Sequence, residues 1–231
     1  MRTYITLAAA LIGFVASAQQ QQQPVARPTT IGGGLDVVIP LGEFDDTWGR
    51  QLVGLGANMA IPMRRLPFSW GADFGWARMG SKSQEVPVQE ENIASTTGEL
   101  EVKSNMYSYH GMVRLQPFTG KVSPYGELMA GVRHFTTRTE ITVEGLDQPI
   151  MEQRNENDFI GSVGWAAGLQ VLPGKSRNFY VETRVERLNG GQITYVDPAS
   201  IKVSQTGDVS YRTLTSGSNV VNITFGIGLR F

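Results

Sequence analysis

The chain contains no cysteine, which removes disulfides, thiol chemistry and cysteine-ligated zinc or iron–sulfur sites. Histidine occurs only at His110 and His134, and no ligand spacing surrounds either, so neither a metal nor a cofactor is expected. Charged residues make up just 18% of the chain, and a net charge of −1 points to no polyanionic partner such as nucleic acid. Beyond the N-terminus no apolar run reaches the roughly 18 residues that a membrane-spanning helix requires. Nowhere does a helical period compete with the alternation described below. An exported protein with these absences is either soluble or crosses a membrane with strands.

Export is written at the start. Arg2 supplies a positive charge, residues 4–15 form a short apolar core, and Ala16-Ser17-Ala18 is a small-residue cleavage site. Residues 1–18 are therefore expected to be a Sec signal peptide, and no cysteine follows to direct lipoprotein processing. Residues 19–28, a glutamine run closed by Pro24 and Pro28, are expected to be a disordered leader, with one domain over 29–231.

In the last eleven residues, Val221, Ile223, Phe225, Ile227, Leu229 and Phe231 alternate with Asn222, Thr224, Gly226, Gly228 and Arg230. A strict period of two makes a β-strand with one apolar and one polar or bare face. Seven earlier segments repeat it, at 31–41, 52–61, 68–77, 106–116, 124–134, 159–171 and 179–186. Each is about 10 residues, the length a tilted strand needs to cross a hydrocarbon layer. The connections read as medium, short, long, short, long, short and long. The medium one, 43–50, reads as a polar loop, and the long ones, 80–103, 135–158 and 188–218, as polar and in part acidic loops. Eight strands so connected predict an all-β fold, an eight-stranded antiparallel up-and-down transmembrane β-barrel.

A soluble barrel of lipocalin type would turn the apolar face inward. The apolar faces carry too much aromatic bulk for an eight-stranded interior, including Trp70, Phe74, Trp76, Tyr107, Tyr109, Trp165 and Phe225. The opposite faces are rich in Gly and Ser, which suit a narrow lumen. Aromatics also gather at both strand ends, as two membrane interfaces require.

These strands, the segment SPYGELMAGVR at 123–133 and the terminal Leu229-Arg230-Phe231 resemble the small eight-stranded outer-membrane barrels of the OmpA transmembrane-domain and OmpX type, including the barrel-only proteins of Bacteroidetes. The resemblance covers the mature chain. It implies localisation in the bacterial outer membrane, contact with its lipids, and reading of Phe231 by the barrel-assembly machinery as an assembly signal. It implies a non-enzymatic role in envelope structure or in surface interaction through long acidic extracellular loops. A narrow channel or small-solute conduit, or a surface adhesin or receptor, are the alternatives. Unlike OmpA, the sequence carries no peptidoglycan-binding domain after the barrel, so tethering to the cell wall is not implied.

Strand parity points Asp73, Arg114, Glu127, Arg133, Glu182, Arg184 and Glu186 into the lumen, where they are expected to pair as a plug. An ion path is the competing reading. The same parity brings Arg78, Lys103, His134 and Arg187 to the outer interface, a collar expected to meet lipopolysaccharide phosphates. Snorkelling of basic ends toward headgroups explains them equally well. Because His110 faces inward and His134 outward, the two cannot share a catalytic site, and no nucleophile–base pair is legible.

Overall fold

The computed structural model describes residues 27–231 apart from 65, 91–92, 144–148, 150, 175–177, 198–199 and 204–208, with the backbone alone for 86–90, 93–97, 151, 154–155, 203 and 209. The signal peptide, most of the leader, and Glu91, Glu144 and Asp147 of the acidic loops lie outside the described residues.

Eight strands close a barrel. They are β1 (Thr30–Pro40), β2 (Leu52–Pro62), β3 (Phe68–Glu90), β4 (Ile93–Leu115), β5 (Val122–Val143), β6 (Met151–Val171), β7 (Phe179–Gly190) and the last strand, β12 (Val220–Arg230). Each pairs antiparallel with its sequence neighbour, β12 follows β7 around the ring, and β12 pairs with β1 from Thr30↔Arg230 to Pro40↔Val220. Four short strands lie between β7 and β12: β8 (Gln192–Val196), β9 (Lys202–Val203), β10 (Val209–Ser210) and β11 (Thr213–Gly217). They form two small hairpins, β8 with β11 and β9 with β10. A short helix, α1 (Glu43–Trp48), joins β1 to β2.

Exposure decides which way the faces point. Leu128, Val163 and Phe225 are 70%, 59% and 59% exposed on the outer surface, whereas Arg114 and Arg133 are 0% exposed within it. A belt of Ile, Leu, Val and aromatic side chains facing outward has no place in water, and this arrangement rules out the lipocalin alternative. A Phe225→Arg substitution, in the middle of that belt, should cost about 2–4 kcal/mol of folding free energy in lipid bilayers. Equal urea midpoints for variant and parent in vesicles would refute the lipid-facing assignment.

The connections differ from the sequence expectation. Most of 80–103 and 135–158 is strand, not loop: β3 and β4 have 23 residues each, β5 has 22 and β6 has 21, against 11 in β1, β2 and β12. At about 3.3 Å per residue, these four strands run roughly 40 Å further along their path than the shorter ones. The reason the sequence hides this is an inversion of faces. Within the belt the odd residues of β4 are apolar and point outward, as Tyr107, Tyr109 and Val113 do. Farther along the same strand the outward odd residues become Glu99, Glu101 and Lys103, and apolar Leu100 and Val102 point in. Lipid outside the wall gives way to water, so the apolar face changes sides without a break in the ladder. In β3 a bulge at Met79 also shifts the register between Arg78 and Gly80.

The expected polar loop at 43–50 is instead a helical turn over most of its length. Phe44 and Trp48 stand four residues apart on one face of α1, the acidic Glu43, Asp45 and Asp46 favour its N-terminus, and Gly49 ends it in the left-handed conformation (φ 63°). The 188–218 segment likewise begins as the end of β7 and folds into the two hairpins.

Candidate functional site: the barrel interior and its outer rim

The interior has two levels. Toward the short turns it is ionic. Arg184 on β7 reaches three carboxylates, with Nη1 2.6 Å from Asp73 Oδ2, Nε 2.9 Å from Glu127 Oε2 and Nη2 2.8 Å from Glu186 Oε2. The other oxygen of Glu127 accepts from Arg114 Nε at 2.6 Å, so one carboxylate bridges two guanidiniums. All five groups are buried. Charges taken out of water this way are tolerated only when their partners are in place.

The network extends downward through neutral groups. Arg114 Nη2 donates to Asn58 Oδ1 (3.2 Å), and Asn58 Nδ2 donates to Glu182 Oε2 (3.2 Å). Glu182 also accepts from Tyr125 Oη (2.7 Å) and Gln170 Nε2 (3.1 Å). Arg230 Nη2 and Gln116 Nε2 both donate to Gln170 Oε1, at 2.8 and 3.2 Å. The Arg114 guanidinium lies 4.1 Å from the centre of the Tyr125 ring. Tyr125 pairs in register with Gly168, where a Cβ would collide with its ring, so the glycine makes room for the aromatic inside the barrel.

Toward the long hairpins the interior is apolar. Phe44 and Trp48 of α1 meet Ile193 and Tyr195 of β8 over Phe135, Met79, Met106, Leu52, Leu188 and Val220 of the wall. Phe44 packs edge-on against Phe135 and Tyr195, with centroids 6.0 and 5.7 Å apart. Glu43 Oε2 accepts the Gly217 N–H at 3.0 Å, tying α1 to the end of β11. A second cluster, Leu100, Val102, Ile141, Val196 and Ile201, continues this core above the first.

Of the seven lumen charges expected from parity, all are buried. Five of them, Asp73, Arg114, Glu127, Arg184 and Glu186, form the ion cluster. Glu182 differs from the expected ion pairing: its partners are the neutral Tyr125, Gln170 and Asn58. Arg133 differs too. It sits at the apolar level, donates to the Ser218 carbonyl and to Met106 Sδ, and has no carboxylate partner among the described residues. Asp36 and Asn222, in the same lumen, were signalled by the same parity. Phe44, Trp48 and Tyr195 were harder to find, since the only signals were an i, i+4 aromatic pair and a five-residue alternation.

The collar residues reach different settings. Lys103 is paired with Glu101 at 2.7 Å. The His134 ring stacks between Tyr107 and Phe159, with centroids 5.6 and 4.1 Å away, and bonds Asn157. Arg78 and Arg187 are exposed and have no ion-pair partner among the described residues. Phe231 is exposed at the turn-side end, its N–H bonded to the Thr29 carbonyl at 2.9 Å.

No protein-family model and no curated protein matches the chain. Among solved structures it is similar to Ail, the attachment invasion locus protein of Yersinia pestis, in complex with the heparin analogue sucrose octasulfate (18% identity, 88% of this chain and 97% of that one, TM-score 0.43). It is also similar to the outer membrane protein OprG of Pseudomonas aeruginosa (15%, 89% and 96%, TM-score 0.45) and to a major outer membrane protein of Thermus thermophilus (12%, 90% and 100%, TM-score 0.45). The fold, read from the chain's own strand pairing, is a closed eight-stranded antiparallel barrel.

Inside the barrel the sequence also concealed one serine–histidine pair. His110 Nε2 and Ser162 Oγ are 2.8 Å apart across β5, where Gly131 lies between them in register. A Cβ at Gly131 would strike the β4 backbone at Tyr109 and His110. His110 Nδ1 has no partner among the described residues, and Asp73, opposite it on β3, is held by Arg184. The orienting third group of a hydrolytic triad is therefore not in place, and both side chains are buried.

Proposed function

We propose that the chain is a non-enzymatic integral protein of the bacterial outer membrane whose lumen is plugged, and that it serves envelope structure or surface interaction. The observation that carries this reading is the filling of the interior at two levels, ionic around Arg184 and apolar around Phe44. An eight-stranded interior is just wide enough for side chains, so two such layers leave no continuous aqueous path. The surface available for interaction is then the β3–β6 wall that rises beyond the belt, with Glu85, Glu99, Glu101, Glu140 and Glu152 along it. In the same reading Phe231 is the assembly signal for the barrel-assembly machinery. The rim faces lipopolysaccharide, chiefly through Arg78 and Arg187, because Lys103 and His134 already have protein partners.

The test is electrical. Purified protein in planar bilayers should give at most rare and small openings. Steady conductance of porin scale would overturn the plugged lumen.

A further inference from the structure

A notch in the wall separates β2 from β3 at the outer rim. The last pair between these strands is Val53↔Arg78, after which β3 continues to Glu90 with β4 as its only ladder partner among the described residues. The bulge at Met79 turns that side chain into the core and redirects β3 as it leaves its neighbour. An open groove of about 650 Å³ results on the outer surface, with Val53, Leu55 and Trp76 along its belt side and Gln51, Arg78 and Ser81 along its rim.

Trp76 stands in a cross-strand row with Tyr107, His134 and Phe159. Such aromatic rows mark the boundary between hydrocarbon and headgroups. Arg78 lies two residues beyond Trp76 on the same face, about 7 Å farther along the strand. On the neighbouring strands Lys103 is neutralised by Glu101 (2.7 Å) and Arg138 by Glu152 (3.2 Å), whereas Arg78 has no acidic partner among the described residues. Apolar below and cationic above, the groove complements a molecule with the opposite arrangement.

We propose that this groove holds one anionic lipid, its phosphate on Arg78 and an acyl chain along Val53, Leu55 and Trp76. The proposal rests on the membrane reading above and narrows the lipid-facing collar to one built position. Gln51 and Ser81 supply neutral hydrogen-bonding groups beside the phosphate, and the notch, rather than general positive charge at the rim, confers the preference.

The test is native mass spectrometry of the full barrel in a neutral detergent, with phosphatidic acid, diacylglycerol of the same chains, and inorganic phosphate as probes. Phosphatidic acid should bind at least about tenfold more tightly than diacylglycerol, as one charge-assisted contact supplies. Inorganic phosphate should not be retained. Arg78→Gln should abolish the tenfold preference, and Ser81→Glu, which puts a carboxylate on the same rim, should reduce it. Lys121→Gln, at an exposed lysine in the short turn before β5 and outside the groove, should leave it unchanged. The proposal fails if Arg78→Gln keeps the preference, if Lys121→Gln loses it equally, or if free phosphate binds as well as the lipid. A failure of the membrane reading itself would appear separately, as wild-type protein with no heat-modifiable gel mobility.

Discussion

Arg184→Met should lower the unfolding free energy by about 3–5 kcal/mol, the cost of leaving buried charge without its partner. Methionine keeps the apolar stem and lacks the guanidinium, so the carboxylates that the guanidinium held are left unpaired. Arg184 touches Asp73, Glu127 and Glu186, all at 2.6–2.9 Å, and no other cation approaches Asp73 or Glu186 within 4.0 Å among the described residues. Glu127 keeps Arg114, at 2.6 Å, and is the least affected of the three. Urea unfolding followed by heat-modifiable mobility in detergent measures the effect. Replacing Asp73, Glu127 and Glu186 with their amides in the Arg184→Met background should recover much of the loss, since the stranded charges are then gone. A loss below about 1 kcal/mol, or no recovery in the combined variant, would mean that the cluster is not held by Arg184.

Phe44→Ala should have an effect of similar size and different reach. Phe44 is fully buried and packs on Phe135 and Tyr195, and truncation of such a side chain costs about 3–5 kcal/mol. The loss falls on α1 and the β8–β11 hairpin, which pack on the barrel wall through that apolar cluster and the Thr194 N–H donating to Asp158 of β6, and on each other through the Glu43–Gly217 bond. The eight-stranded ladder does not depend on it. Local opening should therefore rise by about a hundredfold or more while the gel-shift stability of the barrel stays near that of the parent. Limited proteolysis within residues 191–218 reads the first quantity and urea titration the second. Protection unchanged from the parent would show that the segment is held by something other than Phe44. The pair of variants also separates the two levels of the interior, since one disturbs the ionic level and the other the apolar one.

The Arg184 cluster shows how far parity reaches. On β7 the even residues Glu182, Arg184 and Glu186 are inward because Val181, Thr183 and Val185 must be outward, and that much needs no coordinates. Which carboxylate Arg184 meets is another matter. Asp73 lies 111 residues away in the chain on β3, the strand opposite β7 in the ring, and Glu127 lies two strands from β7 on β5, so their meeting depends on ring closure and on the register of every pair between them. Arg133 illustrates the limit. Parity turned it inward, but its height in the barrel put it beside Phe135 and the Ser218 carbonyl, with no carboxylate within 4.0 Å of its guanidinium among the described residues.

Residue order alone dictated that eight segments alternate and which residues of each share a face, because a period of two leaves no other choice, and the aromatic bulk of one face favoured turning it outward. It could not reveal that four of those strands continue past the layer. There lipid is exchanged for water outside the wall, so Leu100 and Val102 take the inner face and Glu99 and Glu101 the outer one, and the apolar signature reverses within an unbroken strand. Nor could it place α1 and β8 over the lumen or open the notch beside Arg78. Those depend on where neighbouring strands end relative to one another, which is a property of register and closure and is decided only when the whole ring is assembled.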